Sequence, residues 1–197
     1  MSPISELAAK LKKMKPTLAL INLILLFDCH SDNYDYNQDD FQVYSTILSK
    51  YSNSLVITDL FIQDRYQLKE FLNKKIITSA EKKSMNQQLR YLIRHEIKYR
   101  IDPAKLQNKT ISEIEIDSIF KKNNKYGPDG GFEELIRLYN TRSLIRFSLP
   151  LFAENRTRAI FISVFSCGSL CGEEKIYLCE KKENLWNLKD SVQSVVF

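Results

Sequence analysis

The chain has 197 residues, of which 44% are hydrophobic and 27% charged, with five glycines and five prolines. Such a composition suits one folded domain with a short N-terminal appendage and excludes collagen-like, low-complexity and disordered chains. The formal net charge of +5 is too mild for a dedicated nucleic-acid binder, so nucleic acid is not an expected partner.

The first element is a signal-like segment over residues 1–28. Lys10, Lys12, Lys13 and Lys15 precede an apolar run, Thr17–Phe27, which ends at Asp28-Cys29. A basic flank followed by an apolar stretch of about 7–15 residues is the pattern of an export signal. The run is too short for a membrane-spanning helix, which needs about 20 apolar residues. A cysteine directly after it resembles the lipid-attachment site of bacterial lipoproteins, and Cys29 is the expected lipid-bearing residue. Asp28 and Phe27 depart from the small residues such sites favour, and Met14 is an alternative start. Residues 29–40 are polar and acidic and read as a tether, with a single α+β domain over 41–197. The competing reading buries 17–27 as a core helix of a cytosolic protein.

Asp39 or Asp40 is a candidate cap for a helix to Tyr51, with Phe41, Tyr44, Leu48 and Tyr51 on one face. Ser54–Ile62 is β-branched and apolar, hence a strand, and 64–73 reads as a short helix. Thr78-Ser-Ala-Glu81 is a capping box that opens a helix to about Tyr99, with Met85, Leu89, Leu92, Ile93 and Ile97 inward. A second box, Ser112-Glu-Ile-Glu115, opens a helix through Phe120. Gly127–Gly131 is a turn cluster, followed by a helix over Phe132–Tyr139. Four strands follow, at 143–152, 158–165, 175–181 and 185–189. The expected fold is therefore α+β, with N-terminal helices packed on a C-terminal antiparallel sheet of about four strands.

The last third carries a resemblance. Ile145–Phe152 holds Phe-Ser-Leu-Pro-Leu-Phe, Arg158–Phe165 is a β-branched strand, and Cys167-Gly-Ser-Leu-Cys-Gly172 is a loop. Ile176-Tyr-Leu-Cys-Glu-Lys181 and Trp186 follow. This pattern resembles a family of uncharacterised envelope lipoproteins of the Bacteroidota type, over roughly residues 110–190. Glu174, Cys179 and Asn184-Leu185 depart from it. The resemblance implies a cell-envelope address and a membrane partner through a lipid anchor, and it implies no reaction.

Cys167 and Cys171 flank a tight turn, and thiols so placed reach the Cα separation of about 5.5 Å that a disulfide needs. A structural disulfide is the expected state, since redox pairs favour Cys-x-x-Cys at a helix N-terminus. A zinc site would need further ligands, and the chain has only His30 and His95. Gly-x-Ser-x-Gly, His-Glu-x-x-His, phosphate-loop and dinucleotide signatures are missing from the sequence. No catalytic residue, metal or cofactor is therefore expected. Three functions remain in view: an envelope lipoprotein acting as a binding or structural module, a cytosolic interaction protein such as a toxin-immunity protein, and an envelope thiol-redox protein.

Overall fold

The structure, a computed structural model, describes residues 36–63, 68, 71–72, 76–127 and 129–196. The signal-like segment, the Met14 start and Cys29 lie outside the described residues. So do most of residues 64–73, of which Leu68, Phe71 and Leu72 are helical and buried.

The described chain begins inside the stretch expected as a tether. Tyr36 is buried, and its hydroxyl donates to Pro150 O at 2.6 Å. The following helical segment is a 3-10 turn (Gln38–Tyr44), α1 (Ser45–Leu48) and a second 3-10 turn (Ser49–Tyr51). Its cap is Asn37, not Asp39 or Asp40. Asp40 N donates to Asn37 Oδ1 and Asn37 N to Asp40 Oδ2. This is the reciprocal capping arrangement, shifted upstream. Val43 and Ile47 are as buried as Phe41, Tyr44 and Leu48, so the segment packs through a wide arc.

The strands are β1 (Leu55–Ile57), β2 (Thr110–Ile111), β3 (Leu144–Phe147), β4 (Leu151–Phe152), β5 (Arg158–Gly168), β6 (Cys171–Lys182) and β7 (Leu185–Val196). They form one seven-stranded sheet in the order β2-β1-β3-β5-β6-β7, with β4 also on β5. The class is α+β, but the expected sheet of about four antiparallel strands is corrected in two ways. β1 pairs in parallel with both β2 and β3, and the last third holds five strands. The expected strand over 143–152 breaks at Ser148-Leu149-Pro150, where Leu149 N turns away from β5 to Phe61 O. Proline has no N–H to continue a ladder. The register of β3 to β6 nevertheless keeps β5 central, as its two-sided apolar pattern requires.

The helices are α2 (Ser79–His95), α3 (Glu113–Asn123) and α4 (Gly130–Tyr139). Both capping boxes form, at Thr78–Glu81 and Ser112–Glu115. α2 stops short of Tyr99 because the chain beyond it is drawn into an extended pairing. Leu60 N donates to Tyr99 O and Ile101 N to Thr58 O. Glu96 takes a left-handed conformation to make the exit. Ile93, expected to face inward, is 48% exposed.

Alternate residues of β1 enter different cores, as the two faces of a strand must. Val56 joins the main core with Tyr44, Phe147 and Phe161. Leu55 and Ile57 join a smaller one with Leu144, Phe132 and Leu135. α3 and α4 cover that second face, closing on each other at Phe120 and Phe132 (ring centroids 5.1 Å apart). A Cβ at Gly131 would stand 2.6 Å from the Phe120 ring, so this glycine serves helix packing and not the turn alone.

The main core holds three bonds that cap the break in the sheet. Tyr44 donates to Ser148 O at 2.6 Å, Gln63 Nε2 to Leu149 O at 2.5 Å, and Tyr36 to Pro150 O. Burial pushes the Tyr44 phenol well above its ordinary range, so it stays a donor. Tyr44→Phe keeps the ring stacked 4.4 Å from Phe147 and leaves a buried carbonyl unpaired. We expect a loss of about 1–3 kcal/mol in urea unfolding.

Arg158 ties β5 to α2 through Glu81 at 2.7 Å. Burial works to raise the Glu81 carboxyl, but its bonds to Thr78 and Arg158 outweigh this and hold it below the ordinary 4.5. A carboxyl more acidic when folded adds stability that is complete above its unfolded value and is lost as pH falls through the folded value. Glu81→Gln keeps the capping box and removes the charge. Its urea midpoint should lie below that of the wild type at neutral pH, and the gap should narrow as pH falls below 4.5.

Candidate functional site

The site the sequence singles out is the tip of the β5–β6 hairpin. β5 and β6 pair from Arg158↔Glu180 to Gly168↔Cys171, leaving Ser169 and Leu170 as the turn. The register shifts between Ser166 and Gly168, so Cys167 is the extra residue of a bulge. The bulge sets Cys167 beside Cys171, with Cα atoms 5.1 Å apart and the two sulfurs at disulfide distance. Gly168 has φ +153° at the corner.

The tip does not stand alone. Ser169 N donates to Asp129 Oδ1 at 2.9 Å, which binds the hairpin to the turn preceding α4. Leu170, the foremost side chain, is 89% exposed. Cys171 is exposed and Cys167 half-buried. Behind the tip, Glu173 accepts from Tyr51 at 2.8 Å and from Lys175 at 2.6 Å. Burial raises the Glu173 carboxyl, yet those two donors hold it below its ordinary value. Burial, followed by the bonds to Tyr177 and Glu173, pushes the Tyr51 phenol far upward. Tyr51 also lies 5.2 Å from the Phe165 ring and 3.4 Å from the Tyr177 hydroxyl. The helical segment at 38–51 thus braces the hairpin from one side and the α4 turn from another.

Cys179 is not part of this site. It is buried on β6, its sulfur 3.5 Å from Thr46 Oγ1, and burial pushes the thiol up to about 11. The reactive thiolate is therefore scarce at neutral pH. His95 is an exposed residue at the end of α2, its ring 4.4 Å from Tyr91. Among the described residues no cluster of His, Cys, Asp or Glu is arranged to hold a metal ion, and no helix is long and apolar enough to cross a membrane.

The sequence pointed to both cysteines of the tip but not to Asp129, Tyr51 or Glu173. Asp129 lies in a turn cluster whose role reads only as a chain reversal. Its bond to Ser169 joins residues 40 apart, which no local pattern encodes. Comparison with known protein families, curated proteins and solved structures finds no match.

A disulfide across so short a loop removes little chain entropy. The double variant Cys167→Ser/Cys171→Ser should lose no more than about 2 kcal/mol in urea unfolding. In the native protein Cys179 should resist maleimide until denaturant is added, as intact-mass measurement before and after unfolding would show.

Proposed function

We propose that this chain is an envelope lipoprotein, anchored to a membrane through Cys29, whose folded domain is a non-enzymatic binding module that offers the Cys167–Cys171 hairpin tip to a partner. One observation carries the reading: a disulfide pair at an exposed tip. Disulfides persist in oxidising compartments and are rare in a reducing cytosol. An exported chain accounts for the pair, and the resemblance of the C-terminal third to Bacteroidota envelope lipoproteins points the same way.

Residue chemistry favours binding over redox work. The two cysteines sit on a β-hairpin and not in the first turn of a helix, which is the usual setting of a redox pair. Leu170 is an apolar side chain held out on a tip pinned at its base by Asp129. Rigid presentation of this kind lowers the ordering cost of association. Only residues 30–35 separate Cys29 from the buried Tyr36, so the anchor would hold the module within about 25 Å of the membrane surface.

The test is made in the native host. Cells are fed a labelled lipid precursor, and thiols are trapped by alkylation before lysis. Wild-type protein should carry label, lose it in Cys29→Ser, and show Cys167 and Cys171 protected from alkylation. Unchanged label in Cys29→Ser, or both thiols alkylated in a soluble fraction, would overturn the reading in favour of a cytosolic interaction protein.

A further inference from the structure

We propose that the outer face of α2 is a docking surface for anionic lipid headgroups, which holds the tethered domain against its membrane. The choice of a lipid surface as the occupant rests on the envelope reading above. α2 carries Lys82, Lys83, Arg90 and Arg94 against a single carboxylate, Glu81. That carboxylate is engaged by Arg158 and by the Thr78 cap. α3 and α4 have the opposite balance, with three carboxylates to two lysines and two carboxylates to one arginine. The cationic excess is therefore a property of this helix and not of helix surfaces in general.

Helical period concentrates the charge. With about 3.6 residues per turn, Lys83, Gln87, Arg90 and Arg94 share one stripe, on the side opposite the buried Met85, Leu89 and Leu92. All four are exposed, and the stripe runs about 17 Å along the axis at roughly 1.5 Å per residue. Lys83, Arg90 and Arg94 have no carboxylate partner among the described residues. The next carboxylate in sequence, Glu96, lies past the helix end in the left-handed exit turn. Large single-sign fields serve steering and are otherwise avoided on a surface. Arg90 and Arg94 stand four apart, and like charges at that spacing weaken a helix in water. An anionic surface converts the repulsion into attraction.

The tether arrives on the same helix. Gln88 Nε2 of α2 donates to the Tyr36 hydroxyl at 2.7 Å, and the Tyr36 ring lies 4.8 Å from Tyr99, just past the helix end. A helix with its side chains is about 10–12 Å across, so passing it from Gln88 to the stripe takes less than the roughly 25 Å that residues 30–35 can span. Each Lys or Arg held near an anionic leaflet strengthens binding by about fivefold, and only within about 10 Å. An anchor on Cys29 brings the stripe into the range where its charge acts. Stable attachment through a lipid chain takes a second signal, and a basic patch is one that serves.

The full chain carrying Cys29→Ser, which cannot be acylated, is sedimented with vesicles of phosphatidylcholine alone and of phosphatidylcholine with phosphatidylglycerol. Whatever residues 1–28 contribute is common to every variant. The preference for the anionic vesicles should fall at least about tenfold in Lys83→Gln/Arg90→Gln/Arg94→Gln, with no loss of melting temperature. Lys121→Gln/Lys122→Gln/Lys125→Gln removes equal charge from exposed positions outside α2 and should change the preference by less than about twofold. High salt should abolish the difference between the parent chain and the stripe variant, because exposed charges are then screened. The proposal is overturned if the stripe variant keeps the full preference, if the other triple variant loses as much, or if the stripe binds polyuridylate more tightly than the anionic vesicles at equal phosphate. Every protein in the set carries Cys29→Ser, so this result stands apart from the lipid-labelling test of the anchor.

Discussion

The fold turns on the three carbonyls of Ser148, Leu149 and Pro150. At this point the chain leaves the β3–β5 ladder and rejoins it as β4, so the carbonyls fall where no strand supplies a donor. Each is taken by a side chain from far away in sequence: Tyr44, Gln63 and Tyr36. Buried backbone groups must be bonded, and an interrupted strand inside a core is tolerated only when such donors arrive. The N-terminal helical segment is therefore a structural requirement of the sheet. Gln88 of α2 extends the arrangement, donating to the Tyr36 hydroxyl and accepting from Phe152 N.

That constraint explains why one face of the sheet is covered, while the second is closed by apolar packing. One face takes the segment at 38–51, whose aromatic rings stack from Phe41 through Tyr44 onto Phe147, with Tyr44 meeting Phe161 edge to face. The other takes α3 and α4 over β1 and the start of β3. The hairpin of β5 and β6 is flanked by β3 as far as Ser166 and by β7 as far as Glu173, and its tip is steadied by Asp129 from one side and by the Tyr51–Glu173–Lys175 bonds from the other. A rigid body with a braced tip suits contact with a partner, and this geometry underlies the proposed function.

Legibility followed the range of the interaction. Capping boxes at Thr78 and Ser112 join residues three apart, and both were readable as helix starts. The shift of the first cap from Asp39 or Asp40 to Asn37 is a local ambiguity among several capable side chains. The end of α2 was not readable. Its apolar period continues through Ile97, but pairing of 99–101 with 58–60 offers those backbone groups a ladder, and the helix yields to it. The parallel pairing of β1 was hidden for the same reason, because the last-third strands read as a meander complete in itself. At the tip, the two cysteines were visible from their spacing, while Asp129 and Tyr51 were brought there by the fold.

Sequence alone determined the α+β class, the helix starts, the central place of β5 and the pairing distance of Cys167 and Cys171. Each depends on side-chain period or on neighbours within a few residues, where chain connectivity already fixes geometry. Tertiary structure decided the strand count and order, the break at Pro150 with its three distant donors, the inward place of Tyr36 and the bracing of the hairpin tip. Those depend on contacts between residues tens of positions apart, which form only when the whole core closes.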